Sequence, residues 1–114
     1  MANQEDVLTL TYDLQLYLIP QVGKFPREHK FMLGDRIYGL LMTLQEDVIE
    51  AYYSGKAQKR GILKRVNLHL EKLRFQMRLC KDLRCLSIRK YEHVSTLIDQ
   101  LGRVIGGWIK SLSS

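Results

Sequence analysis

Residues 56–90 constrain the fold most, because they carry two separate apolar stripes on a single helical wheel. At 100° per residue one stripe is wide and continuous. It comprises Leu63, Val66, Leu70, Leu73, Met77 and Cys80. The second stripe lies nearly opposite and comprises Leu68, Phe75 and Leu79. A helix in a bundle needs only one apolar stripe, so this helix has one to spare.

The positive charge of the chain is concentrated on the same stretch. Residues 56–90 contain twelve Lys or Arg against two acids, whereas residues 1–55 contain four against eight. One gap between the apolar stripes holds Arg60, Lys64, Arg74, Arg78 and Lys81. An ordinary solvated helix face mixes both signs, so this stripe predicts binding to a polyanion. No aromatic ladder accompanies it, so we expect salt-sensitive contacts to the phosphate backbone, with weak sequence specificity.

The rest of the chain predicts an all-α, single-domain protein over residues 1–114. Apolar periodicity predicts four helices, which run from about Glu5 to Gly23, Arg27 to Tyr53, Ala57 to Asp82 or Arg84, and Ile88 to Ser111. Pro20 should kink or end the first helix, and Ser87 should cap the last. Short loops between long helices predict an up-down-up-down four-helix bundle.

Each helix has an expected core stripe. In the first helix it is Val7, Thr11, Leu14, Ile19 and Val22. In the second it is Phe31, Ile37, Leu40, Leu41, Leu44, Val48, Ala51 and Tyr52. In the last it is Tyr91, Val94, Leu97, Ile98, Leu101, Val104, Ile105, Trp108, Ile109 and Leu112.

The spare stripe of Leu68, Phe75 and Leu79 predicts an oligomer interface, because an exposed apolar patch is a liability for a monomer. Leu10 and Tyr17 are expected to extend it. The alternative is that a wide bundle face buries this stripe, or that its members are scattered surface residues. An acidic patch suits the basic helix of a neighbouring subunit, and it comprises Glu46, Asp47 and Glu50.

Enzymatic and membrane functions find little support in the sequence. The three histidines lie far apart, no Glu-x-x-His pair occurs, and no nucleophile motif is present, so we expect no catalytic residue, metal or cofactor. A small helical mutase or metal-bundle enzyme is therefore the weakest hypothesis. The apolar runs are too short to span a bilayer, and the N-terminus lacks a basic signal region. Cys80 and Cys85 do not form a C-x-x-C motif, which favours free thiols in a reducing cytoplasm.

Three segments of the chain together resemble one family. They are residues 25–31, FPREHKF; residues 70–79, LEKLRFQMRL; and residues 101–109, LGRVIGGWI. As a set they resemble the accessory variability determinant (Avd) proteins of diversity-generating retroelements, over about residues 7–112. Avd proteins are in turn similar to four-helix proteins encoded in ribosomal RNA intervening sequences, which is the nearest rival within the fold.

The resemblance implies a non-enzymatic partner of a reverse transcriptase that forms a homopentameric ring and binds nucleic acid. It implies a role in mutagenic retrohoming, in which a template RNA is copied with errors and the copy replaces a variable gene segment. By this resemblance, the leading contacts to the polymerase or the polyanion are Arg74 and Arg78. Structural roles are implied for Gly102, Gly106 and Trp108. The alternative function is a bundle that binds ribosomal or other structured RNA without a polymerase.

Overall fold

The computed structural model describes residues 4–112, with side chains described from residue 6 onward. Every regular element in this range is helical, which confirms the all-α class. The helices are α1 (Gln4–Gly23), α2 (Arg27–Lys30), α3 (Leu33–Tyr53), α4 (Lys56–Asp82) and α5 (Ile88–Ser111).

Four long helices share one core. α1 packs against α3 and α5, and α4 packs against the same two helices, so α1 and α4 lie on opposite sides of the bundle. The wide apolar stripe of α4 is fully buried at all six expected positions. On α5 the expected stripe is buried or half-buried throughout. Apolar periodicity of three and four residues therefore identified the core face of both helices.

The turn between α4 and α5 is defined by local hydrogen bonds. Cys85 N donates to Cys80 O at 2.8 Å and Arg84 N donates to Lys81 O at 3.0 Å, which is a Schellman ending. Arg84 occupies the left-handed position with φ of 63°, where glycine is usual. Ser87 then caps α5 by accepting a hydrogen bond from Lys90 N at 3.2 Å, as the sequence predicted.

The expectation of one helix from Arg27 to Tyr53 is wrong. The chain forms a single turn, α2, and then bends before α3, which leaves Phe31 65% exposed rather than in the core. Phe25 fills the end of the core instead and is 4% exposed. The bend brings Gly34 close to α1, so that a Cβ at this position would lie 3.1 Å from Val22 Cγ1.

One alternative and one expectation for α1 also need correction. The helix runs to Gly23, as the sequence predicted, and it continues through Pro20, so the alternative in which Pro20 ends the helix is wrong. Pro20 is exposed, so solvent can hydrate the carbonyl that lacks a backbone donor. Leu10 and Tyr17 do not extend the spare stripe of α4, because α1 lies across the bundle from α4. The ring of Tyr17 packs edge-on against His93 of α5, with 4.5 Å between centroids.

Candidate polyanion-binding and partner-binding surface

The basic stripe of α4 lies on the flank that faces α5. Its cations differ in their exposure and in their ion pairs. Arg60, Lys64 and Arg78 are exposed. None of the three takes part in an ion pair within the described residues 4–112. Their charges are therefore available to an external anion.

Arg74 is held by two acids. Its guanidinium pairs with Glu71 on the same helix, and Nη2 lies 3.3 Å from Asp99 Oδ1 on α5. The side chain is also half-buried. Two carboxylates already neutralise this cation, so it is a weaker candidate for an external phosphate than the exposed cations on either side of it.

Lys81 is also engaged within the chain. Its Nζ lies 3.7 Å from Asp82 Oδ1 and 4.9 Å from the centroid of the Tyr91 ring. The second contact is a cation–π interaction that links α4 to α5. Of the five cations expected in the stripe, the structure thus leaves three unpaired and ties two to their neighbours.

A groove of about 510 Å³ runs between α4 and α5 beside the stripe. Arg103 of α5 lines this groove together with Arg74, and Arg103 is exposed. Sequence reasoning did not join Arg103 to the stripe, because Arg103 lies on another helix and its register against α4 depends on packing. The whole lining comprises Asn67, Leu68, Glu71, Arg74, Asp99, Gly102 and Arg103.

The opposite flank of α4 carries a polar cluster that ties it to α3. Arg65 donates two hydrogen bonds to Asp47, from Nε at 3.2 Å and from Nη2 at 3.1 Å. His69 Nε2 lies 3.1 Å from the Asp47 carboxylate. The hydrogen bond and the charge of Asp47 raise the pKa of Arg65. Asp47 is buried, so the expected acidic surface patch is reduced to its exposed neighbours Glu46 and Glu50.

The spare stripe of α4 faces away from the core. Leu68, Phe75 and Leu79 are 54%, 72% and 43% exposed. The alternative in which a wide bundle face buries them is therefore wrong. They form an apolar ridge on the outward side of α4, and we call Leu68, Phe75 and Leu79 the α4 ridge.

The glycines of α5 differ in their surroundings. A Cβ at Gly102 would lie 3.0 Å from Arg74 Nη2, whereas nothing lies within 4 Å of the same position at Gly106. Trp108 is buried, and Lys59 Nζ lies 6.0 Å from the centroid of its ring. Lys59 also donates hydrogen bonds to the carbonyls of Tyr52 and Ser54, where α3 ends.

The described residues hold no group of three or more His, Cys, Asp or Glu side chains that could bind a metal ion. Cys80 and Cys85 are both free thiols. Burial raises the pKa of Cys80 to about 12 and raises that of Cys85 as well. Within residues 4–112 no helix is long and apolar enough to cross a bilayer.

These features define a helical-bundle protein whose α4 helix presents free cations on one flank and an apolar ridge on its outer side. The chain belongs to the bAvd-like family, whose profile matches residues 7–112. This membership confirms the resemblance found in the sequence, and it fits an accessory protein of diversity-generating retroelements. The family is accessory and non-catalytic, and it suggests partnership with a retroelement reverse transcriptase in general. No curated protein matched the chain.

Proposed function

We propose that this chain is a non-enzymatic accessory protein that binds the reverse transcriptase of a diversity-generating retroelement together with template RNA or its cDNA copy. It supports mutagenic retrohoming by holding the polymerase and the nucleic acid together. The observation that carries this proposal is the unpaired, exposed state of Arg60, Lys64 and Arg78 on one flank of α4. Family membership over residues 7–112 supports the polymerase as the partner.

The mechanism is electrostatic. Free cations along one helix flank lower the repulsion between neighbouring phosphates and release counterions when the strand binds. Arg78 leads these contacts, while Arg74 has a smaller share because Glu71 and Asp99 already pair with it. The ion pair of Lys81 with Asp82 reduces its share in the same way.

Assembly multiplies these weak contacts. We take the protein to be a homo-oligomer, with the homopentameric ring of the family as the expected form and the α4 ridge within its interface. The long helices alternate in direction, since short connections favour antiparallel neighbours. Several basic flanks on one particle raise the effective concentration of cations near a bound strand. We place this function in the cytoplasm, where reducing conditions keep Cys80 and Cys85 as thiols.

A second candidate function is binding to ribosomal or other structured RNA without a polymerase. The same cations favour it, because backbone contacts suit any RNA whose phosphates can reach the flank. The two functions differ in their protein partner. A pull-down with the reverse transcriptase of the same retroelement, with and without nuclease, separates them. Retention of the polymerase after nuclease treatment supports the first function, whereas loss of all protein partners supports the second.

Charge reversal tests the basic flank directly. The variant combines Arg60→Glu, Lys64→Glu and Arg78→Glu. Fluorescence anisotropy with a labelled single-stranded RNA measures affinity across a salt series. The variant should bind more weakly, and the slope of log K against log salt should fall by about 2, at roughly 0.7 per phosphate contact for single strands.

A matched control carries the same change of charge at another site. Lys24, Arg27 and Lys30 are all exposed and lie between α1 and α3, outside helix α4. Reversing these three should change affinity only modestly. Equal losses of RNA affinity in the two variants would show that net charge alone explains the effect. They would contradict a specific role of the α4 flank. Circular dichroism of both variants should match the parent protein.

A further inference from the structure

A second exposed apolar face lies on α1 and α3, on helices for which the sequence predicted one buried stripe each. Tyr12 and Leu16 of α1 are 59% and 58% exposed. Tyr38, Met42 and Ile49 of α3 are 46%, 37% and 43% exposed. These five residues belong to adjacent, packed helices, so they form one face of the bundle rather than scattered surface residues.

The centre of this face is concave. A groove of about 320 Å³ lies between α1 and α3, and it continues into a smaller one of about 180 Å³ that Ile49 lines. Gln15 forms part of the floor of both and is 6% exposed. Its Nε2 donates to Leu41 O at 3.2 Å, which fixes the spacing of the two helices. We call this concave surface the α1/α3 groove. Its first part is lined by Tyr12, Gln15, Leu16, Ile19, Pro20, Met42 and Gln45.

The α4 ridge matches this groove in length and in shape. The ridge spans Leu68 to Leu79, and the lining of the groove spans Leu8 to Pro20 on α1. At a rise of 1.5 Å per residue the ridge is about 16 Å long and the groove about 18 Å long. The ridge is convex and includes Phe75, the most exposed of its three side chains. One surface therefore offers apolar knobs and the other an apolar hollow of similar length.

The helices that carry the two surfaces also have opposite net charge. α1 contains three acids and no Lys or Arg, and α3 contains four acids and one Arg. Asp13 and Glu46 are exposed on these helices. α4 contains nine Lys or Arg and two acids, and Lys64, Lys72 and Arg78 are exposed around its outer side. Ridge against ridge would bring two strongly basic helices together, whereas ridge against groove brings basic to acidic.

We propose that the α4 ridge of one copy of this chain docks into the α1/α3 groove of a second copy. This inference rests on the oligomer named under the proposed function and identifies its second surface. The two surfaces differ, so the contact is heterologous and each copy uses both of them. Such a contact adds subunits head to tail and closes into a ring when the rotation between neighbours permits. A symmetric dimer is not the product.

Complementation between two variants tests the heterologous contact. Phe75→Glu damages the ridge and keeps the groove, whereas Leu16→Glu damages the groove and keeps the ridge. Light scattering at micromolar concentration measures the mass against the 13.4 kDa monomer. The parent protein should be assembled and each variant alone should be monomeric. An equimolar mixture should form a one-to-one dimer of about twice the monomer mass, because only one good contact remains.

Several outcomes would overturn the inference. An assembled Leu16→Glu variant, or a mixture that stays monomeric, would exclude the groove while leaving oligomerisation through the ridge intact. A monomeric parent protein would remove both the inference and the oligomer, but salt-dependent RNA binding at Arg60 and Lys64 would still stand. Phe31→Glu is the control, because Phe31 is exposed but lies in the turn between α2 and α3. It should assemble like the parent protein.

A second pair of variants covers the case in which either substitution unfolds the chain. Leu68→Glu and Tyr12→Glu repeat the design at other exposed positions of the ridge and the groove. Helicity by circular dichroism selects the pair that stays folded. The expected masses and the outcomes that contradict the contact are the same for both pairs.

Discussion

The guanidinium of Arg74 lies directly over Gly102, with Nη2 only 3.0 Å from the position that a Cβ at residue 102 would take. From there Arg74 reaches Asp99 on α5. The absence of a side chain at residue 102 thus permits a cation of α4 to cross onto α5. Two features that looked separate in the sequence, a basic stripe and a glycine-rich helix, meet at this contact.

Alanine substitutions should separate Gly102 from Gly106. Gly106→Ala should stabilise the protein by about 1 kcal/mol, since its Cβ enters open space and alanine is the better helix former. Gly102→Ala should gain clearly less, because Arg74 must move away from Asp99. In an Arg74→Ala background the gain at Gly102 should rise to that at Gly106. Urea unfolding measures the free energy of unfolding of Gly106→Ala, Gly102→Ala, Arg74→Ala and the double variant of Arg74→Ala with Gly102→Ala. Equal gains from Gly102→Ala and Gly106→Ala in the presence of Arg74 would contradict the steric restriction at Gly102.

Removal of the Asp47 carboxylate should destabilise the fold. Asp47 is buried and joins Arg65 and His69, so Asp47→Ala leaves His69 without its partner at a cost of about 1–3 kcal/mol. Asp47→Asn keeps the volume and one possible hydrogen bond, so its cost should be smaller. Glu46→Ala is the matched control on the same helix, and this exposed change should stay within about 0.5 kcal/mol. Chemical denaturation measures the free energy of unfolding of the three variants. Similar costs for Asp47→Ala and Glu46→Ala would contradict a stabilising role of the Asp47 cluster.

Glycine at position 84 should stabilise the turn after α4. Arg84 has φ of 63°, a conformation that costs an ordinary L-residue roughly 1–2 kcal/mol. Arg84→Gly relieves this cost but adds backbone freedom to the unfolded chain, so a net gain of about 1 kcal/mol is expected. Arg84→Ala removes the same charge while keeping a Cβ, and it should show no such gain. Thermal or urea unfolding compares the stabilities of Arg84→Gly and Arg84→Ala. Equal stabilities would mean that the lost charge, and not the backbone conformation, causes any change in stability.

The buried thiol of Cys80 should make stability fall at alkaline pH. Its pKa rises from 9.0 to about 12 on folding because burial disfavours the thiolate. Above pH 9 the unfolded chain loses this proton while the folded chain keeps it, so the contribution is complete below pH 9 and is lost as pH rises toward 12. Cys80→Ala should flatten the alkaline slope of the free energy of unfolding. Cys85→Ala should flatten this slope less, because the Cys85 thiol is only half-buried, and an unchanged slope in Cys80→Ala would exclude the Cys80 thiol.

Much of the fold could be read from periodicity, and the failures have identifiable causes. The stripes of α4 and α5 were correct because long amphipathic helices repeat their signal over many turns. The bend at Phe31 was missed because residues 27–53 contain no internal proline and every side chain there is compatible with a helix. The close packing of Gly34 against Val22 is a tertiary contact that no local pattern encodes.

The surface was only partly predictable for the same reason. The exposure of Phe75 followed from its position opposite the core stripe of α4. The α1/α3 groove did not, because Leu16 and Met42 each look like ordinary apolar residues until the two helices lie side by side. Arg74 lies in the same stripe as the free cations, and its ion pairs with Glu71 and Asp99 set it apart from them.

The sequence by itself determined the helical class, the core faces of α4 and α5, the concentration of positive charge on α4 and the likeness to the family that matches residues 7–112. These are properties of single segments, whose spacing and charge are fixed by covalent order. The tertiary structure decided which cations are free, that Asp47 is internal, and that α1 and α3 share an apolar groove. Those properties depend on distances between helices, and such distances are set only when side chains from different segments pack into one core.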